Sequence, residues 1–204
     1  MAKFWTLGHS SQTYERFSSL LRSFGITAVA DVRSSPFSRH FPHFNRDDLK
    51  NSLKRDGLSY VFMGKELGGR PADPDLFVNG VANYERMSET TSYKLGLERV
   101  IGGASGHRIA LVCSEAHPLD CHRCLLVGRS LIEGKHEVDH ILPDGSVRSQ
   151  NQIETDMVVM AGRTEPDFFM SASELVDTAY RERASQVAYS TVIRPRPAAL
   201  ANSR

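Results

Sequence analysis

Arg108-Ile109-Ala110-Leu111-Val112 leads directly into Cys113-Ser114-Glu115-Ala116-His117-Pro118-Leu119-Asp120-Cys121-His122-Arg123-Cys124, and then into Leu125-Leu126-Val127-Gly128-Arg129-Ser130-Leu131-Ile132. The first five residues form the short apolar run of a buried strand, and the last eight can be helical with one greasy face. The dozen between them is therefore a strand-to-helix connection. In an alternating α/β protein such a connection emerges at the carboxyl edge of the sheet, where open α/β folds hold their ligands. This one carries all three cysteines of the chain, two of its eight histidines, a glutamate and an arginine.

The alternation extends outward in both directions. A first strand is expected over 3–7, then a helix from Tyr14 whose Phe17, Leu20, Leu21 and Phe24 repeat at i, i+3, i+4, i+7, with Ser and Thr caps before it and Gly25 as its stop. A second strand over 27–30 ends at Asp31-Val32-Arg33. After a long loop, Asn45 and Asp48 resemble a capping box for a helix to Arg55, and 58–63 reads as the third strand. Residues 79–101 can form one helix before the fourth strand at 108–112, and 137–142 is a fifth. The order predicts an α/β, three-layer fold: a mainly parallel sheet of about five strands with helices on both faces. Residues 1–149 are expected to form this α/β domain. Residues 150–204 then add a helical extension, with helices over 153–161 and 171–184, and a disordered tail from Arg194.

A length of 204 residues suits one domain with appendages. The net charge of +1 argues against binding long nucleic acid by bulk electrostatics. No run approaches the roughly 20 apolar residues of a membrane helix, and the first residues lack the apolar core of a signal peptide. The expectation is a cytoplasmic protein with no membrane partner. An odd number of cysteines crowded into one loop does not form a disulfide framework.

Polar groups collect at several strand ends: His9 and Ser10, then Asp31 and Arg33, then Lys65 and Glu66, then the cysteine loop. Three readings of the thiols stay open. Cys121 at a helix start, beside His122 and Arg123, suits a reactive thiolate, with Glu115 and His117 as acid and base. Cys113, His117, Cys121 and Cys124 have the donor types and spacing for zinc. Cys113 and Cys124 also suit plain packing. Arg33 and Arg123 could together clamp a carboxylate or phosphate, or else form structural pairs with Asp31 and Glu115. The 37–46 loop interleaves Phe37, Arg39, His40, Phe41, His43, Phe44 and Arg46, a composition for stacking single-stranded bases or for a lid that buries its phenylalanines. His107, His136 and His140 lie on or beside strands and read as structural. Ser10 beside His9 lacks the G-x-S-x-G elbow of a hydrolase.

Thr6-Leu7-Gly8-His9-Ser10, Asp31-Val32-Arg33 with Pro36 and Ser38, Leu67-Gly68-Gly69-Arg70, and Cys113-x-Glu115 with Cys121-His122-Arg123 together resemble, in order, the signature blocks of the family catalogued as domain of unknown function 488. The resemblance runs from about Thr6 to about Gly145. It implies an α/β domain whose polar blocks gather into one site, and it supplies no reaction. His117 and Cys124 lie outside that pattern, and Gln150 stands near where the family carries a histidine. The leading expectation is an enzyme acting on a small anionic or nucleotide-like substrate, including a base within nucleic acid. Its catalytic groups would come from Cys113, Glu115, Cys121, His122 and His9, and its binding groups from Ser10, Asp31, Arg33, Ser38, Gly68, Gly69 and Arg123. No cofactor is required, with zinc or iron as the open alternative. The other readings are a non-catalytic module for single-stranded nucleic acid and a Cys/His metal-binding protein. The segment after Gln150 is a candidate for homodimer contacts.

Overall fold

The computed structural model describes residues 1–162 and 170–192. Its centre is a six-stranded sheet. Strand β1 is Lys3–Gly8, β2 Ala28–Asp31 and β3 Ser59–Phe62; a small hairpin follows with β4 Phe77–Val78 and β5 Val81–Ala82; then come β6 Ile109–Cys113, β7 Glu137–Ile141 and β8 Val147–Ser149. The sheet order is β3-β2-β6-β1-β7-β8, all parallel except the antiparallel β8. Helices α1 (Tyr14–Ser23) and α2 (Arg46–Arg55) cover one face. The other face carries α4 (Thr91–Gly103), α5 (Arg129–Glu133), α6 (Gln150–Met160) and α7 (Ala172–Val187), with the short α3 (Tyr84–Glu89) beside them.

Side-chain alternation along the central strands divides the interior into two layers. Leu7, Val29, Ala110, Val112 and Ile141 face Phe17, Leu20, Leu21, Leu49 and Leu53 of α1 and α2. Phe4, Ala30, Leu111, Cys113 and Val138 face Tyr93, Leu131, Ile153, Met157 and Tyr180 on the opposite side. Cys113 therefore ends β6 on the second face, beneath the loop it opens. The three-layer α/β architecture expected from the strand and helix order is present, with β8 as a sixth strand. The helical segment after Gln150 packs on this chain's own sheet through Ile153, Met157 and Tyr180.

Local departures have identifiable causes. Residues 79–101 do not form one helix. Asn79 and Gly80, both at positive φ (51° and 74°), make the tight turn of the β4–β5 hairpin, and an Asn-Gly pair favours that turn. Helix α3 then stops at Thr90, whose side chain caps α4 by accepting from the Tyr93 N–H. Asn45 does not close a capping box, because its Oδ1 accepts instead from the Ser38 N–H at 2.7 Å. The helix after the cysteine loop starts as a π-helix, Arg123–Gly128, before α5; such widened turns are frequent at functional sites. Capping boxes at Ser149/Gln152 and Ser171/Glu174 start α6 and α7 close to their expected positions. The expected tail from Arg194 lies outside the described residues. Among the described residues no helix is long and apolar enough to cross a membrane.

Candidate functional site

Parallel register aligns the carboxyl ends of β2, β6 and β1. The chain passes from β6 across β1 to β7 after winding the other way through β2 and β3, so the winding reverses beside the end of β6, the usual place for a ligand crevice. Gly8 brings β1 and the cysteine loop into backbone contact; a Cβ there would stand 1.8 Å from the Glu115 carbonyl oxygen. Only a glycine allows that approach.

The loop folds its thiols back onto one imidazole. Cys113 Sγ and Cys121 Sγ each lie 3.7 Å from His122 Nδ1, and the three donor atoms are all within 4.8 Å of one another. His122 Nε2–H donates to the Val32 carbonyl at 2.8 Å, which leaves Nδ1 as the lone-pair nitrogen facing both sulfurs. Gly69 supports the opposite side of the ring, where a Cβ would be 2.7 Å from His122 Cγ. All three cysteines are free and buried. The hydrogen bond from Cys121, helped by the Arg123 charge, draws the Cys113 thiol below its ordinary value, while burial drives Cys121 well above it. Burial pulls His122 down, but the neighbouring Cys121 sulfur and the Val32 carbonyl outweigh it and hold the ring above its usual value. Position in the sequence puts Cys121 at a helix start, and it stands there: it follows a short 3-10 turn (Pro118–Asp120), its carbonyl accepts from the Leu125 N–H at the opening of the π-helical turn, and the Arg123 N–H points at its sulfur at 3.5 Å.

A cleft of about 100 Å³ opens above this cluster. Cys113, Cys121, His122 and Gly69 form part of its wall, and Arg33, Ser34, Ser114 and Glu115 also border it. Arg33, Glu115 and His122, far apart in the chain, therefore do meet at one site. Ser35, Arg70, Tyr84, Asp120, Val187 and Tyr189 complete the lining and were not among the expected site residues, although Arg70 closes the Leu67-Gly68-Gly69-Arg70 block. Arg70 is exposed, and its guanidinium lies over the Tyr189 ring at 5.2 Å. Tyr84 and Tyr189 come from segments with no chemical signature of their own.

The two expected anion-clamp arginines have other partners. The Arg33 guanidinium binds Asp31 through two bonds of 2.8 and 2.6 Å and the Phe44 carbonyl at 2.8 Å, and it donates to His9 Nε2 at 3.1 Å. Asp31 also accepts from Tyr60 Oη–H at 2.7 Å. Arg123 is fully buried; it donates to Thr6 Oγ1, to the Glu115 carbonyl at 2.5 Å and to the Ala116 carbonyl at 2.9 Å. Its structural partner is the backbone of Glu115, not the carboxylate. His9 stacks on Phe44 with ring centroids 4.2 Å apart, and Nδ1–H donates to the Ser10 carbonyl. Burial and then the charge of Arg33 lower His9 to about 4, so it is neutral and fully engaged behind the cleft rather than in it.

The remaining expected residues disperse. Ser10 has positive φ (47°) at the turn after β1. Ser38 Oγ accepts from the Phe41 N–H within its own loop. Gly68 makes the close approach to Ser34 and Gly64 that shapes the loop beneath Gly69. The four-donor set of Cys113, His117, Cys121 and Cys124 is not assembled: His117 Nδ1 caps the Leu119 N–H, and Cys124 Sγ faces the Gln150 amide. Burial pushes the Cys124 thiol up to about 12. In the 37–46 loop Phe44 is wholly buried and Phe41 packs against the α1–α2 layer, leaving Phe37 exposed. The loop folds against the α1–α2 layer, and none of its residues is among those that line the cleft.

The fold and site define a three-layer α/β protein with a buried Cys/His cluster at the carboxyl edge of its sheet. Residues 13–129, more than half of the chain, match the family described as Domain of unknown function DUF488, and the protein belongs to that family. The match takes in the Asp31, Gly69 and Cys113–Arg123 blocks, and is narrower than the span from Thr6 to Gly145 expected from the motifs. Neither the curated proteins nor the solved structures contain a match to the chain.

Proposed function

We propose that the protein is an enzyme that acts on a small anionic or nucleotide-like substrate bound in the cleft above Cys113, Cys121 and His122. The observation that carries this reading is the convergence of a thiol–imidazole cluster, a carboxylate and an exposed guanidinium on one concave site. Arg70 holds the anionic group: among the described residues it pairs with no carboxylate, and its stacking on Tyr189 sets the direction of the fork. Glu115, exposed on the same cleft, moves the proton. Arg33 and Arg123 act as framework. The full burial of Phe44 and the packing of half-buried Phe41 against the α1–α2 layer favour this reading over a stacking platform for single strands, for which only Phe37 is left exposed.

The test is a thermal-unfolding panel of nucleoside phosphates, sugar phosphates and small carboxylates against wild type and Arg70→Ala. A ligand at about ten times its Kd stabilises the native state by about 1.4 kcal/mol. At least one class should raise the midpoint of the wild type and leave Arg70→Ala unmoved. If no anion shifts the wild type, or if Arg70→Ala responds equally, the substrate class is wrong.

A further inference from the structure

We propose that Cys113, Cys121 and His122 bind one divalent ion of borderline softness, zinc or ferrous iron, with a coordination position left open to the cleft. The ligand set differs from the four-residue set suggested by spacing, because folding replaces His117 and Cys124 with His122. Bonds of about 2.3 Å to sulfur and about 2.1 Å to nitrogen at tetrahedral angles place sulfur and nitrogen roughly 3.6 Å apart. Both thiols stand 3.7 Å from Nδ1. The imidazole is already oriented as in a metal site: its far N–H is held by a backbone carbonyl, and the near nitrogen presents a lone pair toward the sulfurs. Gly69 leaves the ring in that place, and the Arg123 backbone N–H points at Cys121 Sγ at 3.5 Å, a contact that favours a sulfur carrying negative charge. Two thiolates and a neutral imidazole suit these ions better than magnesium or calcium.

Three protein ligands and an open fourth position are the arrangement of a catalytic rather than a structural site. All three ligand residues and Glu115 border the same cleft, so a molecule lodged there meets the ion and the carboxylate together. The ion would supply Lewis acidity or an activated water. This role rests on the cleft being the working site; the binding of the ion does not.

The test uses the full chain without a histidine tag, reduced, stripped with chelator and titrated with Co2+ alone. One equivalent should produce the visible bands of a tetrahedral site and a sulfur-to-cobalt charge-transfer band, and Zn2+ should bleach both. Cys113→Ser, Cys121→Ser and His122→Asn should each lose or change the spectrum, while Cys124→Ser, which alters the neighbouring thiol, should keep it. Should the ligand variants fail to fold, thiol labelling of the native wild type decides: Zn2+ should protect two of the three cysteines, mapped as Cys113 and Cys121. Absence of a cobalt spectrum in folded wild type, a spectrum that survives loss of both cluster thiols, or its loss in folded Cys124→Ser would overturn the proposal. So would unchanged labelling. Cobalt binding without any anion-induced stabilisation would sink the proposed function and leave the metal site standing; the reverse pattern would do the opposite.

Discussion

Lowering the pH should destabilise the fold through His140, and replacing that residue with glutamine should remove a measurable part of the effect. His140 is fully buried on β7. Its Nε2–H donates to Gln150 Oε1 at 2.6 Å, and Nδ1 accepts from the Thr6 hydroxyl at 2.8 Å, so the neutral ring is satisfied, and a second ring proton would have to turn the Thr6 O–H away from it. Burial first, then the positive charge of Arg123, lower it from 6.5 to about 3; the bond to Gln150 opposes this and His117 adds a small repulsion. Because the folded-state value lies below the unfolded one, the unfolded chain takes up the proton first as pH falls. Stability is therefore intact above 6.5 and is lost on the way down to about 3. Each pH unit in that window costs about 1.4 kcal/mol, so acidification to about pH 4.5 removes on the order of 3 kcal/mol. Glutamine keeps a donor amide group and an acceptor carbonyl and does not titrate. His140→Gln should lose about 1 kcal/mol near neutrality through poorer geometry, yet lose less on acidification than the wild type. Urea unfolding of both proteins from neutral to about pH 4.5 measures the difference, in which His9 and the other acid-sensitive groups cancel. Two parallel curves would refute the reasoning.

Three further substitutions probe the frame of the site. Arg123→Lys keeps a charge but cannot serve Thr6, Glu115 and Ala116 together, and should cost on the order of 3 kcal/mol in urea unfolding; a loss under about 1 kcal/mol would contradict the assigned contacts. Asp31→Asn leaves the buried Arg33 without its ion-pair partner and should cost about 3–5 kcal/mol, with little relief from added salt because the pair is out of solvent. Gly69→Ala places a methyl against the His122 ring and should cost about 1–3 kcal/mol while weakening cobalt binding; unchanged affinity would show that the ring does not depend on Gly69.

The fold was legible because its strands are short apolar runs separated by helices with regular stripes, as over 108–112 and at Phe17, Leu20 and Leu21. Residues 79–101 depart from a single helix because the Asn79-Gly80 turn signal, at positive φ between β4 and β5, overrides the helical periodicity that follows it. β8 was hidden because three half-buried residues of an edge strand carry no periodic pattern. In the site, the residue types at Cys113, Cys121 and His122 were visible, but their grouping was not. Spacing suggested Cys121 and Cys124 as a pair, whereas the π-helical opening turns Cys124 toward Gln150 and leaves His122 facing the sulfurs. Gln150 gains its place the same way. It links His140 to Tyr180, whose hydroxyl donates to Glu154, so that β1, β7, α6 and α7 share one buried polar chain that no local pattern announces.

Arg33 and Arg123 show why charge near a strand end is a weak guide to ligand binding. The loops that build a site at the carboxyl edge expose carbonyls that no helix or strand satisfies, and a buried guanidinium, with five donors on a rigid fork, is the side chain best able to satisfy several at once. Arg123 takes the Glu115 and Ala116 carbonyls, and Arg33 takes Phe44 while neutralising Asp31. What separates a framework arginine from a binding one is the number of fixed acceptors around it, which requires coordinates. By that criterion Arg70, exposed on the cleft with its guanidinium against Tyr189, is the cation whose removal should change ligand affinity with little change in stability. Arg123→Lys should do the reverse. A comparison of the two variants in the same unfolding and ligand-shift assays separates the roles; equal losses of stability in both would show that Arg70 belongs to the frame as well.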